Sequence, residues 1–380
     1  MSKLLVDEIS DADNTGPVTV TDGLIGDVTG TLTGNVTGNL TGNVTGAING
    51  FTPQASNMQP FNRIINGAMT IAQRGGAATG VSSQTYVLDR WNAAAYAGAT
   101  CTVEQSTTAP TGFVNSLKYT VTTGATTDPT DYNDIRQNIE GQNLADLGWG
   151  TASAKTVTLS FWVRSSLTGT FAVSFLNSGY DSYYPASYII NSTDTWEYKT
   201  VTVAGPTSGT WLTTNGVGMR VVWDLGVGST YSRTLNTWGS TYAGFGGTGV
   251  VKLAATTGAT FYITGVQLEA GSTASSFAHE FVGDTLRKCQ RYYEILNIGT
   301  NHGEITAGTG YGGVANWMVP KRVAATVVFL ANISNSAGFP ATTAGFSNPS
   351  NTGFMFGLGC TSTYTYGSYM QTVYSSGTEL

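Results

Sequence analysis

Residues 155–164 read KTVTLSFWVR. Val157, Leu159, Phe161 and Val163 fall on one side of an extended chain, and Trp162 and Arg164 on the other, because successive side chains of a strand point to opposite faces. This is a half-buried β-strand, and its apolar face needs a second layer to cover it. Runs at 61–72, 117–123, 170–176, 196–204, 217–225 and 260–268 predict further strands at the spacing of a β-sandwich. The composition agrees: 49 of the 380 residues are Gly and only 11% are charged, yet 41% are hydrophobic, enough to offset the entropy of ordering the chain.

Toward the N-terminus, residues 27–50 run DVTG TLTG NVTG NLTG NVTG AING, with Gly at every fourth position. Val28, Leu32, Val36, Leu40, Val44 and Ile48 alternate with Gly, again a period of two. Six apolar side chains release less free energy than ordering the 24 backbones of 27–50 costs, so one copy cannot hold this conformation. Parallel copies that bury Val and Leu on a shared axis can, with Gly letting the backbones approach. A flexible Gly/Thr linker has no need of a branched apolar residue in every tetrad, so 27–56 is read as a trimeric shaft. The Asn-x-Thr triplets at Asn35, Asn39 and Asn43 follow from the repeat.

Toward the C-terminus, Asp284 is placed to cap a helix over TLRKCQRYYEIL, with Leu286, Cys289 and Tyr293 on one face, and further strands follow. Cys101, Cys289 and Cys360 are odd in number and far apart, which gives neither a disulfide framework nor metal-ligand spacing. They are read as reduced structural thiols.

A net charge of −6 and the lack of any Lys/Arg cluster exclude a phosphate-binding field, so nucleic acid is not an expected partner. The longest apolar stretch, 323–333, is about half of the roughly 20 residues that cross a bilayer, and no membrane insertion is expected. Asp7 and Glu8 interrupt the opening MSKLLVDEIS where a secretory signal needs an apolar run, so the product is expected to stay in the cytoplasm that makes it.

Four segments in order, FNRIINGAMTIAQRG at 61–75, YVLDRW at 86–91, TVTLSFWVRSSLTGTF at 156–171 and FYITGVQLEAGSTASSF at 261–277, resemble phage tail-fibre and related virion proteins. CQRYY at 289–293 and WMVPKR at 317–322 are similar to the segment that often follows in such proteins, and GNVTGNLTGNVTG to fibre shafts. The sandwich region also resembles carbohydrate-binding jelly rolls. That resemblance implies that TWEYKTVTV at 195–203 is a core strand, with Trp196 packing rather than binding. It further implies a structural Ca²⁺ near the first and last strands, but NGAMT at 66–70 and Thr264-Gly265 lack the acids, leaving Glu269 alone, so no metal or other cofactor is expected.

The expected fold is therefore mainly β. It comprises a virion-anchoring segment at 1–26, the shaft at 27–56, a jelly-roll β-sandwich at 57–283, and a small β-rich distal domain with one short helix at 284–380.

Catalytic parts are scarce. Asp131, Asp134, Glu140, Asp181, Asp194, Glu197 and Asp224 are the candidates for a carboxylate pair, none in a recognisable motif, and Asp134 and Glu140 lie in a segment read as turn-rich and solvent-facing. His279 and His302 belong to no nucleophile or zinc motif, and GFGGTG at 244–249 precedes no helix. Aromatics set among Ser, Thr, Asp and Gly suit sugar faces and hydroxyls better. One such loop is 177–188, with Tyr180, Asp181, Tyr183, Tyr184 and Tyr188. A second, at 231–245, has Trp238 and Tyr242, and a third, at 360–370, has Tyr364 and Tyr366.

The resemblance and these loops together imply a non-enzymatic, homotrimeric tail fibre of the virion. It would be anchored to other tail proteins by its N-terminus and bind bacterial surface polysaccharide. A head fibre or capsid decoration protein, and a glycan-degrading enzyme or its binding module, are the alternatives.

Overall fold

The alternation at 155–164 holds: Val157, Leu159, Phe161 and Val163 are fully buried, while Trp162 and Arg164 lie half-exposed on the other face. The structure, a computed structural model, describes residues 62–81, 84–95, 98–302, 310–335, 345–359 and 367–380. The segment 1–26, the shaft with Val28, Leu32, Val36, Leu40, Val44 and Ile48, and the residues Cys360, Tyr364 and Tyr366 lie outside the described residues.

In chain order the strands of the large sandwich are β1 (Ala77–Val81), β2 (Thr85–Tyr86), β3 (Asn92–Ala94), β4 (Thr100–Ser106), β5 (Ser116–Thr123), β6 (Asp134–Glu140), β7 (Val157–Ser165), β8 (Gly169–Leu176), β9 (Tyr183–Ile190), β10 (Glu197–Val203), β11 (Val217–Asp224), the two-residue β12 (Ser232–Arg233) and β13 (Gly246–Gly247), and β14 (Thr260–Ala270). They build two six-stranded antiparallel sheets, β1-β4-β5-β14-β7-β10 and β2-β3-β6-β11-β8-β9. From β5 to β8 the chain changes sheet at every step, the winding of a jelly roll. Between the sheets an aromatic spine fixes the packing. Phe161 meets Trp223 edge-on at 5.7 Å and Tyr188 at 5.1 Å, and Trp91 lies 5.6 Å from Trp223. Each such pair contributes about 0.5–1.5 kcal/mol beyond the area it buries.

Several expectations need correction. Residues 62–72 form no strand; they are a run of turns, with Asn66 and Met69 in the left-handed region, pinned on β14 by bonds from Arg63 N to Leu268 O and from Val266 N to Gly67 O. Gly67 is required there, since a Cβ would lie 2.1 Å from Val266 O. Asp134 and Glu140 are not in a solvent-facing turn but buried in β6. The strand expected at 195–203 does join the core through Val201 and Val203, but Trp196 precedes it and packs half-buried, edge-on to Tyr262 at 6.1 Å. Cys101 and Cys289 are buried free thiols, and burial pushes Cys101 up to about 11.

The helix α1 (Val282–Gln290) starts from Phe281, not Asp284, which stands in the first turn and pairs with Arg287. It buries Thr285 and Cys289 rather than Leu286, and stops before Tyr293. After it come β15 (Ile295–His302), β16 (Gly310–Asn316), β17 (Thr326–Asn335), β18 (Gly345–Ser347), β19 (Gly353–Gly359) and β20 (Gly367–Ser376). They form sheets β15-β20-β17 and β16-β19-β18 around a small core that includes Ile298, Trp317, Phe354, Phe356 and Val373.

The two sandwiches are joined by charges. Arg74 and Arg90 both grip the Glu379 carboxylate, and each guanidinium also lies 3.6 Å over a ring, Tyr293 and Tyr292 respectively. Tyr86 and Asn138 each donate to the main-chain oxygen of Leu380 at 2.6 Å. On β6, Glu140 accepts two bonds from Arg291 and one from Tyr292. Burial alone would raise Glu140, but these donors outweigh it and hold the carboxyl below its ordinary value.

Glu379→Gln leaves Arg90, 1% exposed, without its carboxylate. The substitution is expected to lower unfolding free energy by about 3 kcal/mol, the cost of orphaning one partner of a buried pair, read by thermal melting of the full-length chain. An unchanged melting temperature refutes this account of the junction.

Candidate functional site

Two of the loops singled out in the sequence meet in space. The β8–β9 turn, residues 177–182, lies beside the segment 234–245. Ala243 N donates to Tyr180 O at 2.8 Å, Asn236 N to Pro185 O at 2.7 Å, and Tyr183 and Gly239 exchange both main-chain bonds. Tyr180 and Tyr242 touch edge-to-face at 6.0 Å, and Tyr242 is 66% exposed. Tyr184 meets Trp238 at 5.2 Å. Of the sequence candidates, Tyr180, Asp181, Tyr184, Trp238 and Tyr242 thus line one continuous edge of the second sheet.

Tyr183 does not serve as an open stacking ring. The residues from Tyr183 onward belong to strand β9 rather than to a loop, and its side chain is buried beneath Gly239 and Gly244. A Cβ on either glycine would lie 2.3 Å from the ring, and the hydroxyl is taken by Thr241 Oγ1 at 2.6 Å. Tyr183 positions the second loop. Tyr188 is buried in the core.

Sequence reasoning missed two tryptophans. Trp149 and Trp211 meet at 4.7 Å and 90°, and each is also edge-on to Trp238, at 5.6 and 5.9 Å, so three indoles enclose one corner. Trp149 Nε1 donates to Lys155 O and Trp238 Nε1 to Ala204 O, whereas the buried Trp211 Nε1 has no hydrogen-bond partner among the described residues. Against this corner opens a cleft of about 240 Å³, lined by Leu144, Leu147, Trp149, Trp211, Leu212 and Met219.

Thr151 and Thr213 are the polar side chains of its lining, and a polar network ties the neighbouring turn. Asn177 Nδ2 bridges Asp181 Oδ1 at 2.6 Å and Thr210 O at 3.0 Å, tying the hairpin turn to the residue before Trp211. Behind the turn Arg220 donates to Asn177 O and Ser178 O, with its guanidinium 4.1 Å over the Tyr180 ring. The backbone is strained here. Tyr180, Asn236 and Ala243 all take left-handed conformations that L-residues avoid, and such strain gathers at functional sites.

The carboxylates are mostly committed elsewhere. Asp134 pairs with Arg136, Glu140 with Arg291, Glu197 with Lys199, Asp194 with Arg164 and Asp224 with Lys252, while Asp131 caps Asp128 N. Asp181 alone stands exposed at this edge. Among the described residues no three His, Cys, Asp or Glu side chains form a metal-ligating group, and no helix is long and apolar enough to cross a membrane.

No protein family and no curated protein matches the sequence. Solved structures that match include the CBM22-1 xylan-binding domain from Paenibacillus barcinonensis Xyn10C, at 11% identity over 58% of this chain and 100% of that one, with a TM-score of 0.29. Another is the enzymatically active domain of tailspike protein 4 of bacteriophage CBA120, at 13% identity, 58% of this chain, 25% of that one and a TM-score of 0.28. A third is the family 11 carbohydrate-binding module from Clostridium thermocellum in complex with a beta-1,3-1,4-mixed-linked tetrasaccharide, at 11% identity, 54% and 98% coverage and a TM-score of 0.27. Superpositions of this quality carry no functional argument.

Asp224 anchors the whole second loop. Its Oδ1 accepts from Gly226 N and Val227 N, and its Oδ2 from Gly247 N and Lys252 Nζ, with Gly246 so close that a Cβ would lie 2.1 Å from Oδ2. Burial pushes its carboxyl up to about 6 despite Lys252. Its folded value lies above the unfolded one of 3.8. The associated stability is therefore fully present below that value and lost as pH rises through about 6. Between pH 7.5 and 4.5 the wild-type urea midpoint is expected to gain, relative to Asp224→Asn, the equivalent of about 2 kcal/mol. Parallel pH profiles for the two proteins contradict this assignment.

Proposed function

We propose that this chain is a non-catalytic glycan-binding protein of a phage virion, an attachment fibre that contacts bacterial surface polysaccharide through the edge formed by 177–184 and 234–245. One observation carries the reading: two aromatic loops, separate in sequence, fold together along one edge of the second sheet, Tyr180 touching Tyr242 and Tyr184 touching Trp238, which in turn meets Trp149 and Trp211. Apolar C–H faces of a sugar pack on such rings, and the exposed Asp181 at the edge and Thr213 in the cleft offer groups for its hydroxyls. The commitment of the other candidate carboxylates to ion pairs and caps supports binding without hydrolysis. The ordered resemblance of 61–75, 86–91, 156–171 and 261–277 to virion fibre proteins supports the setting. A tail location, attachment through 1–26 and a trimer built on 27–50 belong to the same proposal.

Labelled full-length protein on an array of bacterial surface polysaccharides is expected to bind at least one, with Tyr242→Ala and Asp181→Ala each weakening the best signal about tenfold, or ~1.4 kcal/mol, at unchanged circular dichroism. Wild-type binding by both variants removes the site from this edge. Release of reducing ends from the bound polysaccharide overturns the non-catalytic part. In light scattering at low concentration the full-length chain is expected at the mass of three copies; a monomeric mass overturns the trimer.

A further inference from the structure

The C-terminal sandwich has a surface unlike the rest of the chain. From 323 to 378 the sequence contains no Asp, Glu, Lys or Arg, and across 295–378 only Glu304, Lys321 and Arg322. Lys321 is fully buried on Glu294, and Arg322 spends its donors on the main-chain oxygens of Asn215, Thr378 and Glu379. Soluble surfaces ordinarily carry about 25–35% charged residues, which keep copies apart.

Large apolar side chains stand in that uncharged setting. Val314, Met318, Leu330, Met355 and Met370 are all exposed. On the outer face of the β16-β19-β18 sheet Val314, 69% exposed, lies directly opposite Met355 in the register, and the neighbouring row is Gly312, Gly357 and Gly345. The face is uncharged: beside that pair it presents Ser347, opposite Met355, and Asn316. Beside it, the β15-β20-β17 sheet has β15 and β17 paired only with β20 among the described residues, with no Lys along either strand to deter a further pairing.

Charge selects the occupant. The chain carries a net −6, nearly all of its charged side chains lying outside 295–378, so copies that approach through other surfaces meet like charge. Through this face they meet none. An acidic or basic partner finds no counter-charge here, whereas a second copy presents a face of the same neutrality, with exposed Val314 and Met355 of its own.

We propose that the outer face of the β16-β19-β18 sheet is a self-association surface on which a second copy of this chain docks, separate from the 27–50 repeat. The proposal stands or falls apart from glycan binding. Sedimentation velocity of full-length Val36→Asp/Leu40→Asp protein, in which the repeat is broken, is expected to show association that grows with concentration. Adding Val314→Asp and Met355→Asp is expected to return the chain to monomer with unchanged circular dichroism. A repeat-broken protein that is monomeric at every concentration overturns the proposal, as does association that survives the two aspartates. Hydrogen exchange on the same repeat-broken protein tests it without substitutions in the sheet: amides of 310–316 and 353–359 are expected to gain protection as concentration rises, and concentration-independent exchange there overturns it.

Discussion

Buried charge on the outer face of the second sheet is the constraint from which the rest of the architecture follows. A strand gives alternate residues to each face, and β6 gives Ile135 and Ile139 to the core while turning Asp134, Arg136, Asn138 and Glu140 outward. All four outward residues are buried. Charges removed from water cost several kcal/mol each unless paired and hydrogen-bonded, so this face requires a cover that supplies partners. Two covers do so. Phe245 lies under the guanidinium of Arg136, which Asp134 neutralises, and Asp224 holds both ends of the 226–247 segment. Arg291, Tyr292 and Leu380 close over Glu140 and Asn138 from the other side.

The candidate site is a by-product of the first cover. Because Asp224 fixes residues 226, 227 and 247, the intervening loop must arch over Leu176 and Val222, and it returns along the edge strand β9. Trp238 and Tyr242 sit at the outer turn of that arch, where β9 supplies Tyr184 and the hairpin turn supplies Tyr180. The loop is held at its base by a buried carboxylate and along its length by Tyr183, so its exposed rings are preorganised. A ligand then need not meet the entropy of ordering them.

How much of this was legible in the sequence depends on which face each strand buries. Strands with one apolar face, such as β5, β7, β8, β10, β11 and β14, announce themselves by alternation and were placed to within a residue or two. The strand β6 was missed because DIRQNIE puts charge on a face that is nonetheless buried, which no local pattern reports. The strand β9 was missed because YYPASYII contains Pro185; as an edge strand it tolerates the lost donor. The run at 61–72 has apolar residues in plenty, but Asn66-Gly67 and Met69 turn it back on itself. For the site, the rule that found Tyr180 and Trp238, an aromatic among Ser, Thr and Gly, applies equally to TSGTWLTTNG at 207–216 and to GWG at 148–150. Applied there, it finds Trp211 and Trp149. Their convergence on Trp238 is a long-range property that only the fold discloses.

The division of charge along the chain bears on how such a site would work. A cleft of about 240 Å³, with one exposed carboxylate and a few rings along the neighbouring edge, would offer a sugar few contacts, so a modest single-site affinity is expected. Joining copies raises the effective concentration at a repetitive surface, with avidity gains of about 10²–10⁴ and no new contact within the site. The large sandwich keeps its acids and bases, and they hold its loops in shape. The C-terminal sandwich has nearly dispensed with charge and is therefore the part of the chain whose surface does not oppose meeting itself. The two proposals put ligand contact and self-contact on separate sandwiches, joined through Glu379, Arg74 and Arg90, so that an array of copies would leave the aromatic edge open.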